Sequence, residues 1–180
     1  HGSLAKVDIA RETGLSAQTV SVIMRSLEGD GLLVRGEPKK GRVGQPSVPM
    51  SLKPGGAYSI GLKIGRRSAD LLLMDFVGNI HKQLHETYAY PSPSGILEFV
   101  EAGVKVLAGE LKPGELERVA GLGIAAPFEL WNWADEAGAS QAETDAWRGF
   151  DLQREVAKLV AFPVFMENDA TSACGAELVF

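Results

Sequence analysis

Cysteine is almost absent from this sequence, and long apolar runs are missing altogether. The single cysteine, Cys174, excludes an internal disulfide, and the chain has no CxxC pair or Cys/His cluster of the kind that binds metal. No apolar run approaches the roughly 18 residues that cross a bilayer, and no signal peptide is recognisable. We therefore expect a cytoplasmic protein with no membrane partner, no metal site and no cofactor in this segment. Cys174 is expected to be a small buried side chain.

Charge is distributed unevenly along the 180 residues. Residues 1–67 contain 11 Lys and Arg against 5 Asp and Glu, a net charge of +6, whereas residues 68–180 contain 7 against 18, a net charge of −11. The overall charge of −5 conceals this division. A basic N-terminal segment followed by an acidic remainder is typical of a polyanion-binding module joined to a globular domain.

The basic segment contains the pattern of a helix-turn-helix at residues 7–27. Gly14 suits the left-handed conformation that ends a first helix, and Ser16 suits the N-cap of a second. Ala10 allows the two helices to cross closely, and Leu15 is expected to fill the turn. In the second helix we predict a buried apolar stripe formed by Val20, Ile23, Met24 and Leu27.

The opposite side of the second helix would face the bases if this helix enters a major groove. From its first turn and its exposed side we predict DNA contacts by Ser16, Ala17, Gln18, Thr19, Ser21, Val22 and Arg25. An ordinary helical hairpin is the alternative interpretation of the same spacing.

A glycine-rich basic segment follows, between two short apolar runs at residues 32–34 and 48–52. We interpret it as the tip of a β-hairpin wing that enters a narrow minor groove with the side chains of Lys39, Lys40, Arg42 and Gln45. A solvated loop that happens to be basic is the alternative. The proline- and glycine-rich stretch that follows would end this module, so that the predicted domains span residues 1–54 and 57–180.

Residues 57–180 have the element order of an α/β domain with a mixed sheet. Three alternating apolar segments joined by short turns predict sequential antiparallel strands. A helix capped by Ser94 comes next, then a buried strand at 119–126. A helix at 151–160, a strand at 163–166 and a final helix from Ala170 complete the order.

Three segments carry a resemblance to a known family: YSIGLKIGRRSADLLLMD, GLGIAAPFELWNW and FPVFMENDATSACGAE. With the order of elements, they resemble the ROK family, which groups sugar-responsive repressors and sugar kinases on an actin-like, ribonuclease H-like ATPase fold. The resemblance implies an N-terminal winged helix-turn-helix followed by the first lobe of that sugar-kinase fold. A full-length member would continue with a second lobe and usually a cysteine-rich structural zinc motif. We therefore expect this chain to be the N-terminal part of a longer protein.

The resemblance also indicates where a kinase site would lie and how this chain departs from it. The family's kinases use an Asp-Ile-Gly-Gly-Thr turn for ATP phosphates and magnesium, and the corresponding residues are Lys63, Ile64, Gly65, Arg66 and Arg67. An ammonium group replaces the metal-side carboxylate, and arginine replaces the glycine that permits close phosphate approach. We therefore predict no phosphoryl transfer. An active sugar kinase with an appended DNA-binding head is the alternative.

The segment Glu167-Asn168-Asp169 matches the family's sugar-binding motif. The resemblance implies that Asn168 and Asp169 hold the hydroxyls of a sugar effector, with Glu167, Ala125 and Ala126 lining the same site. By motif alone, an N-cap for the following helix is an equally good interpretation of the Asn-Asp pair. The pattern GLGIAA in the preceding strand matches a dinucleotide fingerprint only weakly, because proline and an aromatic run follow where a helix should begin.

Together these features predict a transcriptional regulator, a repressor, that binds operator DNA as a homodimer or higher homo-oligomer. Its two recognition helices would occupy successive major grooves, and a sugar in the cleft would change their spacing.

Overall fold

The computed structural model of the protein describes residues 2–38, 48–128, 130–133, 140 and 144–179. The chain divides into two compact units, His1–Ala57 and Tyr58–Phe180. Across these described ranges, no helix combines the length and the apolar character that a membrane span requires.

Unit 1 contains two helices followed by a two-stranded antiparallel sheet. The helices are α1 (Lys6–Thr13) and α2 (Ala17–Gly29), and the strands are β1 (Leu33–Arg35) and β2 (Met50–Leu52). Leu4 pairs with Met50 on the other side of β2 through two backbone hydrogen bonds of 2.8 and 2.9 Å. The start of the chain thus joins the small sheet, a contact that no sequence pattern indicated.

The turn between α1 and α2 has the caps that the sequence predicts. Gly14 adopts a φ of 70° at the end of α1, and the Ser16 hydroxyl accepts a hydrogen bond from the Thr19 amide at 3.1 Å. Two predictions were wrong: Leu15, expected to fill the turn, is 43% exposed, and Ile23, expected in the buried stripe, is 42% exposed. The core of unit 1 is narrow and is already filled by six side chains: Val20, Met24, Met50, Ile9, Ala10 and Leu33.

Unit 2 is an α/β unit built on a five-stranded mixed sheet, as predicted. Its strands are β3 (Tyr58–Ile64), β4 (Ser68–Asp75), β5 (Ile80–Thr87), β6 (Val119–Ala126) and β7 (Val164–Asn168). Its helices are α3 (Pro93–Ala108), α4 (Leu152–Ala157) and α5 (Asp169–Val179). The strand order is β5-β4-β3-β6-β7, in which β4 runs antiparallel to β3 and β5, and β6 and β7 run parallel to β3.

One face of this sheet packs against α3 and α4 to form the core. Alternate residues of β3 point into it, and Ile60, Leu62 and Ile64 are at most 3% exposed. Gly103 allows α3 to approach the sheet closely, because a Cβ atom there would lie only 2.5 Å from Leu71 Cδ2. The other residues of the same strands face away from α3 and are available for a site.

Several predicted element boundaries were displaced. Ser92, and not Ser94, caps α3, because its hydroxyl accepts from the Gly95 amide at 3.1 Å and Pro93 then takes the first helical position. Strand β7 continues to Asn168, two residues further than predicted, because its parallel pairing with β6 extends to Ala126.

Candidate functional site

The exposed side of α2 carries the side chains predicted to contact DNA. Those of Gln18, Val22 and Arg25 are exposed and, at offsets of four and three, lie on one side of the helix. Neither Gln18 nor Arg25 hydrogen-bonds to another described side chain. Of the other residues predicted to contact DNA, Ser21 is half-buried. The rest are exposed: Ser16, Ala17 and Thr19.

An ion pair joins the end of α2 to β1. The Arg35 guanidinium contacts both carboxylate oxygens of Glu28, with Nε–Oε1 at 2.6 Å and Nη2–Oε2 at 2.8 Å. This hydrogen bonding lowers the pKa of Glu28 and raises that of Arg35. The pair links the start of the hairpin to the helix. The predicted hairpin-tip contacts lie outside the described residues: Lys39, Lys40, Arg42 and Gln45.

In unit 2, a groove of about 760 Å³ runs over the sheet face that points away from α3. Gly61 and Gly123 are register partners in adjacent strands and form part of its floor. A Cβ atom at Gly123 would meet nothing within 4 Å, so space for another molecule lies directly above the backbone. Phe165, which is 63% exposed, and Ser172 of α5 line the same groove.

A row of mostly polar side chains crosses all five strands at one end of this groove. Successive register partners place them side by side in the order His85, Asp70, Lys63, Ala125, Glu167. His85 Nδ1 lies 2.8 Å from Asp70 Oδ1, and the Gln83 amide donates to the same oxygen at 3.1 Å. The hydrogen bond with His85, and after it the one from Gln83, lowers the pKa of Asp70. Lys63 therefore lies beside an ionised carboxylate.

Sequence reasoning missed Asp70, a member of this row, and Gln83, which donates a hydrogen bond to it. Asp70 belongs to β4, and only the strand register brings it beside Lys63. The available signal was a polar residue at an outward position of an otherwise apolar strand. Within the described ranges, no group of three His, Cys, Asp or Glu residues could hold a metal ion.

The turn after β3, where the resemblance predicts the counterpart of a kinase phosphate turn, is held by hydrogen bonds within the protein. The Gly65 amide donates to the Ser68 carbonyl at 2.8 Å, and the Tyr88 hydroxyl lies 2.9 and 2.7 Å from the carbonyls of Gly65 and Ser68. Burial raises the pKa of Tyr88. The Arg67 guanidinium donates to the Ala89 carbonyl at 2.9 Å. Arg67 thus contacts the backbone of the segment after β5.

The junction between β7 and α5 contains the predicted Asn-Asp pair. Asn168 Oδ1 accepts from the amides of Ala170 and Thr171 at 3.0 and 3.3 Å, so Asn168 caps α5. Asp169 Oδ1 also accepts from the Ala170 amide at 3.0 Å. The cap therefore uses the side-chain oxygen of Asn168 and one carboxylate oxygen of Asp169. The Asn168 amide nitrogen and the second Asp169 oxygen form no hydrogen bond within this cap.

Three further residues were predicted for the effector site, and they do not all line the groove: Glu167, Ala125 and Ala126. Glu167 and Ala125 line the groove beside Lys63. Ala126 is fully buried in the core, so it can offer a ligand only main-chain atoms. Cys174 was predicted to be buried and is exposed, on the helix α5 that packs against β6 and β7.

Comparisons with known proteins agree on the fold. No protein-family model matches the chain. The uncharacterized protein y4fQ of Sinorhizobium fredii is 25% identical over 179 residues, which cover 98% of this chain and 45% of that protein. The crystal structure of a ROK family transcriptional regulator, a homolog of the E. coli MLC protein, matches with a TM-score of 0.64 at 18% identity over 98% of this chain and 44% of that one.

A ROK family glucokinase from Streptomyces griseus, solved with glucose and AMPPNP, matches with a TM-score of 0.50 at 23% identity. It covers 67% of this chain and 36% of the glucokinase. The predicted resemblance to the ROK family is confirmed at the level of the fold. The chain spans 45% of the length of y4fQ and 44% of the length of the regulator.

Proposed function

We propose that the protein is a ROK-type transcriptional regulator whose two units have separate tasks. Unit 1 is a winged helix-turn-helix that reads operator DNA, and unit 2 binds a sugar or sugar derivative as effector without phosphoryl transfer. The observation that carries the proposal is the arrangement of unit 1: two capped helices around the Gly14 turn, followed by an antiparallel hairpin.

The extent of the two structural likenesses supports a regulator more than a kinase. The regulator match covers 98% of this chain and so includes unit 1. The glucokinase match covers 67%, close to the share of the chain that unit 2 occupies. The part of this chain that the glucokinase match leaves out is therefore about the size of unit 1.

The exposed side of α2 has the chemistry of a recognition helix. Arginine suits the O6 and N7 acceptors of guanine, glutamine suits the N6 and N7 groups of adenine, and valine can contact a thymine methyl group. Arg25, Gln18 and Val22 supply these three groups on one side of α2. The Glu28–Arg35 ion pair links the start of the hairpin to α2, and the hairpin tip would contribute basic side chains to a minor groove.

This part of the proposal is tested by fluorescence anisotropy with full-length protein and an operator selected from a random duplex library. Arg25→Ala and Gln18→Ala are each expected to lower operator affinity by about 1–3 kcal/mol. Lys39→Ala and Lys40→Ala are expected to weaken all sequences alike and to reduce the salt dependence. Arg148→Ala, which removes an exposed ion pair in unit 2, is the matched control. Wild-type operator affinity in all four variants would contradict the proposal.

For the effector, we propose a site at the carboxyl ends of β6 and β7. Asp169 and Glu167 offer carboxylate oxygens, and the small side chain of Ala125 leaves room beside them. The Asn168 amide nitrogen can still donate to a hydroxyl, because the cap uses only its oxygen. Such a mixture of donors and acceptors at the rim of a groove suits a polyol. Sugar binding there would bias an equilibrium between two arrangements of the paired recognition helices.

The alternative function, sugar phosphorylation, is favoured only by the likeness to the glucokinase. Against it stand Lys63, which lies in register between Asp70 and Ala125, and Arg67, which bonds to a backbone carbonyl. A coupled assay with ATP, magnesium and a panel of hexoses is expected to stay at background. Turnover that disappears in Asp169→Asn would establish the kinase instead.

A further inference from the structure

We propose that the β5 edge of the sheet is a self-association surface, on which β5 pairs antiparallel with β5 of a second copy of this chain. Strand β5 is the outer strand of the sheet, and among the strands that the structure describes it pairs with β4 alone. Its outward N–H and C=O groups therefore form an open edge over residues Ile80–Thr87, and such an edge readily accepts a further strand. This surface uses none of the residues proposed to contact DNA or the effector, although Gln83 of β5 also lines the groove over the sheet.

The side chains of β5 are self-complementary about Leu84. In an antiparallel pair with a two-fold axis at Leu84, Lys82 lies opposite Glu86 of the second copy, and Gln83 lies opposite His85. The two-fold symmetry produces each of these pairings twice. Opposite charges directly across two strands stabilise the pair, and like charges destabilise it. Charges on edge strands can also prevent pairing, but here each ammonium group meets a carboxylate.

The charged groups of β5 are available for such pairing. Glu86 is exposed and forms no ion pair with any residue of the described ranges. Lys82 contacts Glu110 at 3.4 Å, and both side chains are about two-fifths exposed, at 43% and 40%. An exposed pair of this kind contributes little to stability. Lys82 can therefore exchange Glu110 for Glu86 of a second copy at small cost.

The surface beside β5 is partly apolar and would be covered in the same contact. A groove of about 450 Å³ between β5 and α3 is lined by apolar residues, Phe99, Ala102 and Val106, and also by the acidic residues Glu86 and Glu98. Val106 is 47% exposed. Leu84 points to this side of the sheet, because its Cδ1 would meet a Cβ atom at Gly103. A two-fold axis perpendicular to the sheet would therefore bring the α3 helices of the two copies together beside the paired strands. The contact would combine the strand pair over Ile80–Thr87 with one side of α3 from each copy.

Charge reversal tests the proposal, with sedimentation velocity of the full-length protein in low salt as the measurement. Lys82→Glu and Glu86→Lys each place like charges opposite one another twice. Each is expected to raise the dissociation constant of this association step at least about tenfold, so that the assembly falls to half its mass. The double variant Lys82→Glu/Glu86→Lys restores both opposite-charge pairs and is expected to sediment like the wild type.

Mixing the two single variants gives the decisive arm. In the mixed pair, one copy carries Glu at both positions and the other carries Lys at both, so both cross-strand pairs are again complementary. The mixture is expected to associate where neither variant does alone, which also shows that both variants are folded. Lys158→Glu, a reversal in an exposed ion pair of α4, is the matched control and is expected to leave the mass unchanged.

Any of three results would overturn the proposal. They are single variants with the wild-type mass, single variants that stay apart when mixed, and a wild type with no greater mass than the variants at every concentration of a dilution series that spans about 100-fold. None of these readouts involves DNA or sugar, so failure here leaves the proposed function to its own tests.

Discussion

The cap at the start of α5 gives a prediction whose size follows from the hydrogen bonds. Asn168→Ala removes the oxygen that accepts from the Ala170 and Thr171 amides. Asp169 Oδ1 still accepts from the Ala170 amide, so only the Thr171 amide loses its acceptor. N-cap replacements by alanine cost about 0.5–2 kcal/mol, and the remaining acceptor places this one in the lower half, at about 0.5–1 kcal/mol.

Thermal and urea denaturation measure this loss, with calorimetric titration of a sugar panel as the second readout. A loss of that size corresponds to a fall in melting temperature of about 2–5 °C for a unit of this length. Asn168→Asp keeps an oxygen for the cap and removes the amide donor. This variant is expected to melt like the wild type while binding sugar more weakly, which separates the cap from the ligand contact.

The opposite pattern would refute this reasoning. If Asn168→Ala melts like the wild type, the two amide hydrogen bonds do not contribute to the stability of α5. If Asn168→Asp keeps full sugar affinity, the amide nitrogen does not contact the effector, and the residue is only a cap.

Two further predictions concern the sheet of unit 2. Gly103→Ala is expected to destabilise the protein by about 1–3 kcal/mol in urea, although alanine favours helix, because its Cβ would lie 2.5 Å from the fully buried Leu71; a gain in stability would contradict the packing described. Burial raises the pKa of Asp75, but hydrogen bonds from Asn79 and Val77 outweigh it and lower the pKa. The carboxylate of Asp75 therefore contributes stability that is present above its unfolded pKa of about 3.9. This contribution is lost as the pH falls through the lower pKa of the folded state. Asp75→Asn is expected to flatten this dependence of the urea midpoint on acid pH.

The strands and the order of elements could be predicted because alternation is a local signal. Ile60, Leu62 and Ile64 point into the core, as their spacing indicates. The caps of unit 1 were equally local, since Gly14 and Ser16 satisfy backbone requirements of their own turn. The cap of α3 was predicted wrongly at Ser94, because Pro93 suits the first helical position and makes Ser92 the N-cap.

The candidate site depended on information that a sequence pattern does not contain. The row that includes Asp70, Lys63 and Glu167 exists because of strand register, which sets neighbours that are distant in sequence. Exposure was misjudged where packing partners are few, as for Leu15 beside the narrow core of unit 1 and Cys174 on α5. The two interpretations of Asn168 could be weighed only when the amides of α5 were located.

The central claim is that sugar bound to unit 2 controls DNA binding by unit 1, and one titration tests it directly. Operator affinity of full-length wild type and Asp169→Ala is measured by fluorescence anisotropy, with and without each sugar of a hexose panel. At least one sugar is expected to change the operator affinity of the wild type. Asp169→Ala is expected to bind the operator equally well and to lose that response, because the effector acts only through its different affinity for the two states. A full sugar response in Asp169→Ala, or a wild type that binds operator and random duplex alike, would contradict the account.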